Sequence, residues 1–237
     1  MRKLNFIVIA VCILLLFGVN NAFGQSVTVM AVWTGAEADA FLKMVEPFEK
    51  ETGIKVEFTG TRDLPAILTT RVEAGNPPDV SVMPNPGQMQ EFARDGKLID
   101  LSTFMDMEDL KSNYSDAWLD LGSYQGKIHS IFISADLKSL VWYNPKAFAA
   151  AGYTIPTTWD ELMALSDKMV ANGHTPWAIG LESGAASGWP GTDWIEDIML
   201  RIAPPETYDA WVEHKIAWTN EVVKEAFEIF GGIARSD

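Results

Sequence analysis

A short apolar run, an amphipathic stretch and a second apolar run follow one another early in this chain. That order points to a parallel sheet. Residues 26–33 read SVTVMAVW, nearly all apolar, as expected for a strand buried on both faces. Residues 35–52 place Phe41, Leu42, Val45 and Phe48 on one helical face, with Pro47 expected to kink or split the helix. Gly53 ends it, and residues 54–59 form a second strand. Strand, helix, strand is a βαβ unit, whose crossover is expected to be right-handed. The pattern continues with a helix at 64–74, a break at Gly75-Asn76-Pro77-Pro78, a third strand at 79–83 and a helix at 87–94. Organisation is therefore α/β from the start.

Further along, the spacing predicts short helices at 104–111 and 113–121, then strands at 127–134 and 139–144. A change of domain is placed here, giving a first α/β lobe at 25–138 and a second at 139–237. The second lobe is predicted to be rich in helices, at 145–151, 158–172, 192–203, 205–216 and 219–230, with a short strand at 176–180. Thr158 and Glu161 have the spacing of a capping box, with Leu162, Leu165 and Met169 on the buried face and Trp159 read as a packing residue. The chain stops after Ala226–Phe230 and a glycine pair with no closing strand, so the second lobe is expected to be incomplete. A small helical second domain is the alternative.

The first 24 residues stand apart from this pattern. Arg2 and Lys3 precede an apolar stretch from Phe6 to Val19, and Ala22-Phe23-Gly24 offers small residues before a cut at Gln25. The apolar stretch is short of the roughly 20 residues that span a bilayer. It reads as a cleavable export signal, and the expected location is the periplasm. Cys12, the single cysteine, lies inside it, so the remaining 213 of 237 residues carry no thiol and no disulfide. Losing two basic residues takes the formal charge from −14 to −16. Such acidity, without a lysine-arginine cluster, argues against nucleic acid and anionic membrane surfaces.

Most catalytic signatures are missing. Neither a dinucleotide nor a phosphate loop follows the first strand, and there is no nucleophile elbow. His129, His174 and His214 lack metal-ligand spacing. No cofactor is expected. What remains is a set of aromatic and polar residues beyond strand ends, where open α/β sheets bind ligands. Trp33 and Glu37 follow the first strand, Arg62 and Asp63 the second, and Pro84-Asn85 the third. Tryptophan faces suit the C–H surface of a sugar, and carboxylate, amide and guanidinium groups suit its hydroxyls. A second cluster is Trp189, Asp193 and Trp194 around a proline-glycine turn. Trp189, read as lying in the turn, is assigned to the ligand. Trp194 has two readings, a ligand contact or a core residue with Ile198. Trp177 and Trp142 complete the candidates, and Trp142 and Tyr143 would face opposite ways on a strand.

Several segments together resemble the extracellular solute-binding proteins of family 1, the maltose-binding-like sugar receptors of ABC importers. They are Trp33-Thr34-Gly35, FEKETGI at 48–54, VEAGNPPD at 72–79, WYN at 142–144, PTTWDEL at 156–162 and GWPGTDW at 188–194. The last is similar to the alpha-glucoside receptors of that family. The resemblance implies an α/β, two-lobed periplasmic binding protein fold of type II, here incomplete at the C-terminus, with a crossover near 134–144. It implies contacts from Trp33, Glu37, Arg62 and Asp63 in the first lobe and stacking by Trp189 and Trp177 in the second. It implies capture of a sugar without chemistry, by a monomer that delivers it to permease subunits in the inner membrane. A secreted carbohydrate-active hydrolase and a receptor for a non-sugar solute are the alternatives.

Overall fold

A computed structural model of the protein describes residues 25–138 and 140–234, so the export segment read at 1–24 lies outside the described residues. The chain divides into two compact units, one ending at Ile133 and the other beginning at Ser134.

The first unit is built on three parallel strands in the order β2-β1-β3: β1 (Ser26–Ala31), β2 (Lys55–Gly60) and β3 (Val80–Val82). β1 lies in the centre, pairing Ser26 with Lys55 through Ala31 with Gly60 on one side, and Val29 with Val80 on the other. Its apolar run is explained by this position. Val29, Met30 and Ala31 are all buried, so successive side chains are covered on both faces. Met30 packs with Leu64 and Leu68 of α2 (Leu64–Glu73) and Phe92 of α3 (Pro86–Arg94). On another face, Phe58 of β2 meets Phe41 of α1 (Ala36–Thr52) at 5.0 Å between ring centres. Pro47 was expected to kink or split α1; it does not split it, and one helix runs through it. Pro47 is exposed, so water can serve the carbonyl that loses its donor.

β3 is pinned at its start. Asp79 accepts hydrogen bonds from the Thr28 amide at 2.8 Å and the Thr28 hydroxyl at 2.6 Å. These bonds hold the Asp79 carboxyl below its ordinary value of 3.8, the hydroxyl contributing most. A carboxyl lowered by folding contributes stability above its unfolded pKa and loses it as pH falls through the folded value. Urea denaturation of Asp79→Asn should therefore show a deficit against wild type at pH 6 that closes as pH falls below about 3.8. A deficit constant with pH would refute the assignment.

The rest of the first unit is a 3-10 turn at Leu101–Thr103, α4 (Met107–Asn113), α5 (Asp116–Leu121) and a hairpin of two-residue strands, β4 (Ser123–Tyr124) with β5 (Lys127–Ile128). Leu110, Leu119 and Ile128 form its core. The strand predicted at 127–134 thus shrinks to two residues.

In the second unit no strand occurs among the described residues. Neither 140–144 nor 176–180 is extended into a sheet, because no described neighbour pairs with them, and a lone apolar run is not a strand. Leu140, Val141 and Trp142 are all exposed instead. The helices are α6 (Pro145–Ala151), α7 (Trp159–Ala171), α8 (Trp189–Ile202), α9 (Pro205–Val212) and α10 (Glu221–Ala234). Ile195, Ile198 and Met199 of α8, Trp211 of α9, and Val223 and Ala226 of α10 make one core. The capping box of α7 is formed as expected: the Glu161 amide donates to Thr158 Oγ1 while its carboxylate accepts from the Thr158 amide. Leu162, Leu165 and Met169 are only half-buried, and Trp159 is exposed, not packed. No helix of the described residues is long and apolar enough to cross a membrane.

Candidate functional site

Parallel strands share one carboxyl edge, and the candidates of the first unit follow that edge. Trp33 leaves β1, Arg62 and Asp63 leave β2, and Asn85 leaves β3. Trp33 is half-buried against Phe41, with ring centres 5.5 Å apart. Glu37, in the first turn of α1, accepts from the Arg62 guanidinium at 2.5 Å, with both side chains about half exposed. The structure thus joins two residues that lie 25 positions apart and places them beside the Trp33 turn. Asp63 is at the N-cap position of α2. Asn85 serves α3 directly, its side-chain oxygen accepting from the Gln88 amide at 2.9 Å.

The candidates of the second unit separate into two kinds. Trp194 stacks on Phe230 at 5.7 Å and meets Trp177 edge-on at the same separation. The Trp177 indole N–H donates to Ser166 Oγ at 3.0 Å. Trp194 packs against the α8–α9–α10 core, and both rings are half-buried. These two tryptophans hold the helices together. Trp189 differs. It is not in the turn, as the sequence suggested, but is the first residue of α8. Gly188 caps the helix with φ of 97°, a left-handed conformation that glycine adopts without strain, and Pro190 suits the first turn. Trp189 keeps 51% of its surface exposed. Trp142 is 87% exposed, because its predicted strand is not formed. It lies at a shallow depression of about 520 Å³ bounded by Trp142, Tyr143, Asn144, Pro145 and Lys146.

Asp193 sits one turn beyond Trp189 on α8, and a residue the sequence reading missed connects the two. Lys138 Nζ is 3.0 Å from Asp193 Oδ2 and 5.0 Å from the centre of the Trp189 ring. No local pattern signals this lysine, since the contact joins distant parts of the sequence. Glu196, three positions on, is pushed upward from its usual carboxylate pKa, first by burial and then by Asp193, with Lys138 opposing. The group as a whole offers a flat ring, two carboxylates and one ammonium within a short stretch of surface. Among the described residues no cluster of side chains is suited to a metal ion.

The comparisons with known proteins agree with this architecture. The model of the bacterial extracellular solute-binding protein family matches residues 34–234. The osmoprotective compounds-binding protein GgtB of Synechocystis is 44% identical over 90% of this chain and 51% of its own length. The alpha-glucosides-binding periplasmic protein AglE of Rhizobium meliloti is 39% identical over 90% of this chain and 48% of its own. The chain therefore spans about half the length of these curated relatives. A solved structure from work on xylan utilization by Caldanaerobius polysaccharolyticus superposes with a TM-score of 0.69 at 21% identity, covering 89% of this chain and 55% of that one. At that identity the likeness carries the fold alone, which is the α/β periplasmic solute-binding fold of type II. The periplasmic location read from the N-terminal segment agrees with the family and with AglE, periplasmic by name. With a family model matched across most of its length, the chain belongs to the bacterial extracellular solute-binding proteins.

Proposed function

We propose that this protein captures a sugar, an alpha-glucoside or a related oligosaccharide, for an ABC importer in the inner membrane. The observation that carries this reading is the exposed Trp189 ring with the Asp193 carboxylate one helical turn away, close enough for a single ammonium group to touch both. A pyranose has the same two demands: an apolar C–H face for a ring and hydroxyls for an acceptor. The names of GgtB and AglE, which bind osmoprotective compounds and alpha-glucosides, support the ligand class. In the first unit, the Glu37–Arg62 pair and Trp33 supply further polar and aromatic groups at the carboxyl edge of the sheet. Capture needs no bond-making, in keeping with a family of non-catalytic receptors. Permease subunits are the receiving partners in this reading, with the receptor acting as a monomer.

The test is a titration of the purified protein with maltose, trehalose, sucrose and maltotriose, followed by tryptophan fluorescence. With nine tryptophans, one of them in the proposed stack, a saturable change is expected with at least one glucoside. A flat response to all four sinks the reading. Saturation by a polyamine alone would move the protein to the non-sugar receptors.

A further inference from the structure

Lys138 holds both groups that the proposed stack needs. Its ammonium lies 5.0 Å above the centre of Trp189, within cation–π range, and 3.0 Å from the Asp193 carboxylate. A pyranose stacking on the covered face would meet the lysine first. A sugar hydroxyl reaching Asp193 would compete with the same ammonium. We propose that Lys138 is a built-in competitor, covering Trp189 and Asp193 in the ligand-free protein and displaced when the sugar binds.

This inference rests on the ligand role of Trp189 and names what sets the affinity there. Three observations support it. Lys138 belongs to no helix or strand and lies just after the division between the two units, so moving it breaks no backbone ladder. Its side chain is 49% exposed, so the released ammonium can be hydrated without crossing a core. The two contacts are of the weak kinds, a partly exposed ion pair and a partly exposed cation–π contact, which a ligand can outbid.

The consequence is opposite to that of an ordinary contact residue. Lys138→Ala should bind the responding glucoside about fivefold more tightly, the combined strength of the two displaced contacts. Lys138→Arg, which keeps the charge and stacks well on aromatic rings, should show no such gain. Added salt weakens the ion pair, so raising ionic strength should tighten the wild type and leave Lys138→Ala unmoved. Isothermal titration of the two variants, wild type and Trp189→Ala separates the possibilities. If Trp189→Ala loses affinity but Lys138→Ala is unchanged or weaker than wild type, the competitor role is overturned and the sugar site stands. If Trp189→Ala binds like wild type, the stack is misplaced and both ideas fall together.

Discussion

Trp189→Ala is expected to weaken glucoside binding by at least about tenfold, which corresponds to about 1.4 kcal/mol. The argument begins with what the ring does when no sugar is present. It is 51% exposed at the first position of α8, and the Lys138 ammonium lies 5.0 Å from its centre. Removing the ring deletes little from the core, so folding should be retained. It does delete the flat surface on which a sugar face would rest. Trp194→Ala supplies the contrast. That ring is half-buried, stacks on Phe230 and meets Trp177 edge-on, so its loss opens a void between α8 and α10. A cost of about 3 kcal/mol in stability is expected there. Calorimetric titration and urea denaturation of both variants give the check. Equal affinity in Trp189→Ala and wild type would remove Trp189 from the site.

Gly60→Ala should be among the most damaging single-methyl changes in the first unit. A Cβ at this position would stand 1.9 Å from the Trp33 carbonyl oxygen, 3.1 Å from its carbon and 3.2 Å from a ring carbon of Phe58. The first two are backbone atoms, which cannot swing aside like the end of a side chain. Gly60 pairs with Ala31 at the close of the β1–β2 ladder, and the next amide, Thr61, donates to the Ala31 carbonyl at 2.9 Å. Alanine must therefore either lift the Trp33 peptide or break the last rung. The expected loss is about 3 kcal/mol, at the upper end of overpacking costs. Because Trp33 and Arg62 flank the displaced atoms, the carboxyl edge of the sheet should shift as well. Gly87→Ala is the control: a Cβ there makes only an ordinary 3.5 Å contact with Asn85 Oδ1, and the position is helical. Its stability should match or slightly exceed wild type. A midpoint for Gly60→Ala equal to that of Gly87→Ala would show that the turn adapts freely.

Both variants bear on what was readable from residues alone. The βαβ start was legible because β1 is central and buried on both faces, so its sequence is apolar without alternation. Helix ends were legible where local chemistry fixes them, as at Thr158 and Glu161 or at Gly53. Strands at 127–134, 139–144 and 176–180 were not correctly read, since apolar β-prone sequence supplies a surface but not the neighbour that must pair with it. The export segment and the family resemblance were likewise local matters of composition and motif.

The candidate site divides along the same line. Its residue types came from the sequence: Trp33, Glu37, Arg62 and Asp63 after strands, and Trp189 and Asp193 before a helix. Their separate fates came from tertiary structure. Trp177 and Trp194 turned to each other and to Phe230, while Trp189 stayed in solvent. Three tryptophans in one stretch look alike in one dimension, because burial is a property of what packs against them. Glu37 and Arg62 became partners, and Lys138 reached Asp193 and Trp189, only through contacts between distant segments. Charge attraction acts across space and leaves no mark on spacing along the chain. The sequence by itself determined the α/β start, the exported character, the family and the chemical kinds of group on offer. The tertiary structure alone decided which of those groups are bound to one another, and so which remain open to a ligand.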